Sequence, residues 1–171
     1  MLTRRQLIKT GVCGGVLLAG AAYFGAPARE LGSASNAHFG FLAAHDAALF
    51  AALAPVMLAV TPLDLPAVLC GVDRAIQALP LSLQAELRQL LDLLTNPWGR
   101  RWLAGVSNPW AWATPDEVAT FLHAWQFSRF MLLKSGYQAL HALVMAAWYG
   151  NPASWPALGY QRPESIVRLL S

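Results

Sequence analysis

Charge and cysteine are both scarce in this 171-residue chain. Only 12% of its residues are charged, about half of the ~25% usual for soluble proteins. The two cysteines are too few for a disulfide scaffold, a Cys-rich zinc module or a Cys-ligated iron–sulfur cluster. Without a Cys-x-x-Cys-His run, no c-type haem is attached to this chain. Also missing are the Gly-x-Gly-x-x-Gly turn of a dinucleotide-binding fold, a phosphate-binding Gly-rich loop with Lys, and a Gly-x-Ser-x-Gly elbow. No segment alternates with a period of two over a strand's length, and no internal repeat is visible. What the chain does have is apolar surface. Apolar residues make up 56%, which excludes disorder as the dominant state. The 13 Gly and 11 Pro fall without a period, so the chain is not collagen-like.

The formal charge of +3 is uneven along the sequence. Arg4, Arg5 and Lys9 precede the first acid, Glu30, and from Arg29 onward nine cations face nine acids. The basic pI of about 9.2 therefore reports on the first residues and gives no reason to expect a nucleic-acid partner.

Those first residues read as an address. MLTRRQLIK is a positive n-region, residues 10–28 form an uncharged, glycine-rich stretch, and Ala26-Pro27-Ala28 has the small-x-small form of a cleavage site. This is the pattern of an export signal. Arg4 and Arg5, with Leu7 and Lys9 after them, look like the twin-arginine motif, which is read by the twin-arginine translocase of bacteria. The expectation is a periplasmic protein, free or held at the inner membrane, cleaved after Ala28 at a site marked by Ala26 and Ala28. The other reading is an uncleaved N-terminal membrane helix, since nineteen uncharged residues are just long enough to span. Cleavage would leave 143 residues and Cys70 as the only cysteine, so no internal disulfide could form and a buried thiol is expected.

The chain divides into an export signal over 1–28, a Gly/Ser/Ala/Asn linker over 29–44, and a single helical domain over 45–171. Residues 45–59 form an apolar helix that Pro55 should kink or interrupt. The uncharged run over 47–63 is short for a membrane span and contains Pro55 and Pro62, so a core helix is favoured. Residues 64–79 follow, with Pro66 in the first turn. Ser82 is a candidate N-cap for an amphipathic helix carrying Leu83, Leu87, Leu90, Leu91 and Leu94, with Gln84, Glu86, Arg88, Gln89 and Asp92 on the polar face. Residues 97–113 read as loop with a short helical turn. Thr114, Pro115 and Glu117 mark a strong helix start, and Val118, Phe121, Leu122, Trp125, Leu132 and Leu133 continue it as a buried stripe. Ser135-Gly136 should kink or split that helix. A second pattern runs to Tyr149, Asn151-Pro152 ends it, and residues 163–170 form a short C-terminal helix. The fold class is all-α, an irregular bundle of about five or six helices after the signal segment.

Candidates for chemistry are few. His38, His45, His123 and His141 are too dispersed to suggest a metal site. His45 and Asp46 are adjacent and should point different ways on a helix, and Asp116-Glu117 suit capping and the helix dipole. Asp73-Arg74 reads as an ordinary solvated pair, and Cys70 has no base nearby in sequence. The expectation is no catalytic residue, no metal and no cofactor bound by this chain.

The outstanding feature is aromatic. All seven Trp lie between Trp98 and Trp155. Trp125 belongs on the buried stripe, with Arg129 one turn on to stack against it. Trp98, Trp110 and Trp112, in Gly/Pro-rich loop, are candidates for a partner interface.

A family resemblance starts at the C-terminal end. Ala146-Ala147-Trp148-Tyr149-Gly150-Asn151-Pro152-Ala153-Ser154-Trp155-Pro156-Ala157-Leu158-Gly159-Tyr160 resembles the signature of gluconate 2-dehydrogenase subunit 3: an aromatic pair ending a helix, a Pro turn, a Trp, then Gly-Tyr-Pro-Gly-Pro. Gly159, Tyr160 and Pro163 are kept, while Gln161 and Arg162 replace the middle Pro-Gly. Upstream, Val72-Asp73-Arg74-Ala75-Ile76-Gln77-Ala78-Leu79-Pro80 resembles the family's Asp-x-x-(apolar)-x-x-Leu-Pro segment. Trp125-Gln126-Phe127-Ser128 resembles its Trp-x-x-Ser stretch. The small subunits of membrane-bound sorbitol dehydrogenases are similar too.

The resemblance implies a non-catalytic small subunit without flavin. Its partner would be a large FAD-dependent oxidoreductase of the glucose–methanol–choline type, in several such complexes joined by a cytochrome c subunit carrying haem c. The small subunit then supplies the export signal and supports folding or assembly of the large one. Trp155, Gly159, Tyr160 and Pro163 join the three loop tryptophans as candidate interface residues. The residues alone leave a second class open: a stand-alone periplasmic helical protein, either a ligand-binding module or an uncharacterised enzyme.

Overall fold

The structure is a computed structural model and describes residues 39–156 and Gly159. Five α-helices, and no strand, occur among the described residues: α1 (Ala44–Leu58), α2 (Leu65–Gln77), α3 (Leu81–Thr95), α4 (Pro115–Gln126) and α5 (Met131–Tyr149). A π-helical turn at Gly99–Leu103 and a 3₁₀ turn at Trp110–Trp112 join α3 to α4, and a 3₁₀ turn at Pro152–Ser154 follows α5. The all-α irregular bundle is the architecture expected from the helical spacing. No helix among the described residues is long and apolar enough to cross a membrane.

The core is the sum of one stripe from each helix. Leu49, Phe50, Leu53 and Ala54 of α1 meet Val68, Val72 and Ile76 of α2, and Leu87, Leu91 and Leu94 of α3. Val118, Phe121 and Trp125 of α4, with Leu140, Val144 and Ala147 of α5, close it. Recurrence every three or four residues puts each set on one face, and burying these faces is the main favourable contribution to folding.

Helix ends follow local chemistry. The side chain of Asp64, two residues before Pro66, accepts the Ala67 N–H at 3.1 Å. Thr114 and Glu117 cap α4 reciprocally: the Thr114 Oγ1 accepts the Glu117 N–H at 3.2 Å, and Glu117 accepts the Thr114 N–H at 3.0 Å. The Thr114 N–H first, and the Asn108 amide second, lower the Glu117 pKa.

Several expectations are corrected. The helix α1 runs through Pro55, which sits exposed in its last turn, and ends where Ala59 adopts a left-handed φ of 50°. Ser82 does not cap α3: that helix begins one residue earlier, behind Pro80, with no side-chain cap. The break in the long aromatic pattern falls at residues 127–130, not at Ser135-Gly136, and α5 is continuous through Gly136. The reason is packing. The Trp125 ring lies against Gly136, where a Cβ would come within 2.6 Å of its Cζ3. Gly136 is thus the gap into which Trp125 fits. Leu132 falls past the break and is exposed, while Leu133 is partly buried. Cys70, expected to be buried, is half-buried. The C-terminal helix expected over 163–170 lies outside the described residues.

The largest corrections concern two carboxylates. Residues 39–43, expected in the linker, are bound to the helical body. Asp73 is buried, not a solvated partner of Arg74. Its Oδ1 accepts the N–H groups of Phe41 and Leu42, and its Oδ2 that of Gly40, each at 2.9 Å. The Gln77 amide donates to Oδ2 at 2.6 Å. Burial pushes the Asp73 carboxyl up, but the donors from Leu42, Gly40, Phe41 and Gln77 together outweigh it and hold its pKa below the ordinary value.

Asp46, fully buried in the first turn of α1, accepts the Ala43 N–H at 2.8 Å. It also takes a bidentate pair from Arg88 of α3, at 2.7 Å from Nη1 and 2.6 Å from Nη2. Arg88 was expected on the polar face. Instead its Nε holds Asp92 at 2.9 Å, one turn on, and its guanidinium lies 5.6 Å from the centre of the Phe41 ring. Its pKa is raised: burial lowers it, and the Asp46 and Asp92 carboxylates more than reverse that. His45 and Asp46, expected to diverge, also meet, with His45 Nε2 3.5 Å from Asp46 Oδ1.

Two outcomes follow for stability. Arg88→Met leaves Asp46 buried without its cation and should cost about 3–5 kcal/mol in urea unfolding. Asp73 ionises more readily folded than unfolded, where its pKa is about 3.9. Its contribution is therefore complete above the unfolded value and is lost as pH falls through the lower folded one. Asp73→Asn should lower stability at neutral pH by about 1–3 kcal/mol. It should also flatten the fall in stability below about pH 4, read from chemical melts across that range.

Candidate functional site

The long connection from α3 to α4 decides which tryptophans face inward. Trp98 follows Asn96-Pro97, and the Asn96 side chain accepts the Trp98 N–H at 2.9 Å. Gly99 then packs on the end of α3 so closely that a Cβ there would overlap the Leu93 carbonyl oxygen. This contact holds the π-helical turn against α3 with Trp98 and Trp102 outward, 68% and 77% exposed. Arg100 turns inward and is buried. The chain returns through Val106, buried and bonded by its N–H to the Arg100 carbonyl at 3.0 Å.

The 3₁₀ turn Trp110–Trp112 splits its two rings. Trp110 is buried, contrary to its expected place at an interface. Its indole N–H donates to the Leu94 carbonyl at 2.7 Å, and its ring meets Phe121 edge-on at 5.6 Å. Phe121 meets Trp125 in the same way at 4.8 Å. The carbonyl of Leu94 lies in the last turn of α3, so the indole satisfies an acceptor near a helix end while its ring fills the core. Trp112, two residues on, is 77% exposed. Trp125 is buried as expected, with its indole N–H on the Leu103 carbonyl at 3.1 Å. Arg129 does not stack on it; its guanidinium lies 5.1 Å from the Phe130 ring centre.

Trp155 is half-buried and donates to the Tyr149 carbonyl at 2.9 Å, which folds the tail back on the end of α5. Ser154 anchors the same turn through the Trp148 carbonyl at 2.6 Å. Gly159 is exposed, with a φ of 68°. Tyr160, Pro163, the signal residues Arg4, Arg5, Leu7 and Lys9, and the cleavage residues Ala26 and Ala28 lie outside the described residues.

The candidate surface residues are thus Trp98 and Trp102, on the turn against the end of α3, and Trp112, on the turn held by the Trp110 indole. Trp102 was not among the expected interface residues. Its spacing of four from Trp98 is the signal that could have found it. Such a surface has the makings of a contact: large rings on turns whose geometry is fixed from beneath. Among the described residues, no group of three or more His, Cys, Asp or Glu is placed to hold a metal ion. Comparison with protein-family models, with curated proteins and with solved structures gives no match to this chain.

The two kinds of tryptophan should separate in unfolding experiments. Trp110→Ala empties a core site and strands the Leu94 carbonyl, for a loss of about 3–5 kcal/mol. Trp98→Ala and Trp112→Ala should each change stability by no more than about 0.5 kcal/mol.

Proposed function

We infer that this chain is a non-catalytic small subunit of a periplasmic or membrane-associated FAD-dependent dehydrogenase of the glucose–methanol–choline type. It carries its large partner through the twin-arginine translocase and supports that partner's folding or assembly. The observation that carries the reading is the exposure of Trp98, Trp102 and Trp112 beside described helices that already share a buried core. Rings of this size on fixed turns gain by being covered. The order of motifs in the sequence, with the twin-arginine leader at one end and the Trp-Tyr…Trp…Gly-Tyr tail at the other, supplies the identity of the partner. On this reading the flavin, and haem c where a cytochrome subunit is present, belong to partner chains. The substrate is chosen by the large subunit.

Export of an assembled pair needs the two chains to bind before translocation. An obligate contact of about 2,000 Å² or more is the expected scale. The N–H groups of Gly40, Phe41 and Leu42 donate to Asp73 and so join the segment before α1 to the folded helices.

The test is co-purification from the native host with a C-terminal tag. A flavoprotein should come down with the tagged chain. It should stay cytoplasmic when Arg4→Lys and Arg5→Lys are combined. Replacing Trp98, Trp102 and Trp112 together by Ala should weaken the complex by about thirtyfold or more without unfolding the chain. A tagged protein recovered from the periplasm alone sinks the reading and leaves the stand-alone helical protein.

A further inference from the structure

The junction of α4 and α5 forms a second apolar surface, with a different chemical character from the tryptophan turns. Phe127, Phe130, Met131 and Leu132 fall within six residues and are 46–68% exposed. The reversal of the chain makes this exposure unavoidable. The Ser128 N–H is held by the Trp125 carbonyl at 3.3 Å, and the Ser128 hydroxyl accepts the Phe130 N–H at 3.1 Å. The Trp125 ring is packed against Gly136. The four apolar side chains therefore project from a corner of the bundle.

Two cations stand on the corner itself. Arg129 lies over the Phe130 ring, and Lys134, exposed one turn into α5, bonds by its N–H to the Phe130 carbonyl. Between residues 93 and 156 the only acids are Asp116 and Glu117. They sit in the first turn of α4, roughly 15 Å along the helix from its last turn. Glu117 is also engaged by Thr114 and Asn108.

We propose that this corner docks on the surface of an anionic lipid bilayer, with Phe127, Phe130, Met131 and Leu132 entering the headgroup boundary and Arg129 and Lys134 meeting lipid phosphates. The charge complementarity points to this occupant. A projecting apolar tip with two adjoining cations on long apolar stems matches a negative, deformable interface. The proposal is independent of the dehydrogenase reading, since it concerns different residues and needs no partner chain.

The experiment is flotation of the purified full chain with vesicles of phosphatidylcholine alone and with 30% phosphatidylglycerol (roughly the scale of an anionic leaflet). Binding is expected to the anionic vesicles and to fall as salt rises. Combining Phe127→Ser, Phe130→Ser and Met131→Ser should lower the partition coefficient at least about tenfold. Arg129→Glu with Lys134→Glu should do the same. The leader is identical in every variant, so a loss reports on the corner. All these side chains are exposed, and unchanged thermal melts will show that the variants fold. The proposal is overturned if the wild type floats with neither vesicle. It is equally overturned if the variants bind as the wild type does, or if phosphatidylglycerol makes no difference. Co-purification of a flavoprotein would be untouched by any of these results.

Discussion

The bidentate contact between Asp46 and Arg88 joins parts of the chain that are 42 residues apart. Its geometry dictates much of what surrounds it. A fully buried carboxylate in a chain so poor in charge needs full compensation, and Asp46 receives it from two guanidinium nitrogens and the Ala43 N–H. The guanidinium in turn is aligned by Asp92 and covered by Phe41. Phe41 is held in place because its own N–H, with those of Gly40 and Leu42, ends on Asp73. The start of α1, the middle of α3, the second half of α2 and the segment before α1 are thus one connected polar network. A planar fork meeting a planar carboxylate admits little sliding, so this network fixes the register of α1 against α3 more tightly than apolar side chains alone would.

The network also explains how a bundle with few charges arranges its remaining surface. Asp46, Asp73 and Arg88 are drawn inward or half inward, and Arg100 is buried as well. Each charge taken from the surface leaves more of that surface to uncharged side chains. The exposed rings at 98, 102, 112, 127 and 130 are the other side of this distribution. Their positions are not scattered. They fall on turns between helices, where a backbone reversal or a close contact such as Gly99 on Leu93 prevents the side chain from reaching the core.

Helical class, the existence of each helix and most core positions were legible in the sequence because a spacing of three and four is a local property. Leu87, Leu91 and Leu94 on α3, or Val118, Phe121, Leu122 and Trp125 on α4, identify their faces with no knowledge of what they pack against. The capping of α4 was legible for the same reason, since Thr114, Pro115 and Glu117 complete it among themselves. What was not legible depends on distant partners. Nothing near Arg88 marks it as different from Gln84 or Gln89. Only the arrival of Asp46 from α1 turns it inward. Asp73 next to Arg74 invited a local pairing that the segment over 39–42 pre-empts. The break after Gln126 was hidden because Leu132 and Leu133 continue the apolar pattern, and Gly136 looked like a breaker when it is a receptor for the Trp125 ring.

The tryptophans show the same division within a single motif. Trp110 and Trp112 are two residues apart in a loop of small residues and proline, and sequence offers no ground for treating them differently. A 3₁₀ turn advances about 120° per residue, so residues two apart point well away from one another. One of the pair must face the bundle, and Trp110 does so because its indole can reach the free carbonyl near the end of α3 while its ring meets Phe121. Once Trp110 is fixed, Trp112 stands outward. The buried tryptophan therefore positions the exposed one. A surface built this way is preorganised: the core already holds the backbone of the turn, and covering Trp112 requires only the ordering of one ring.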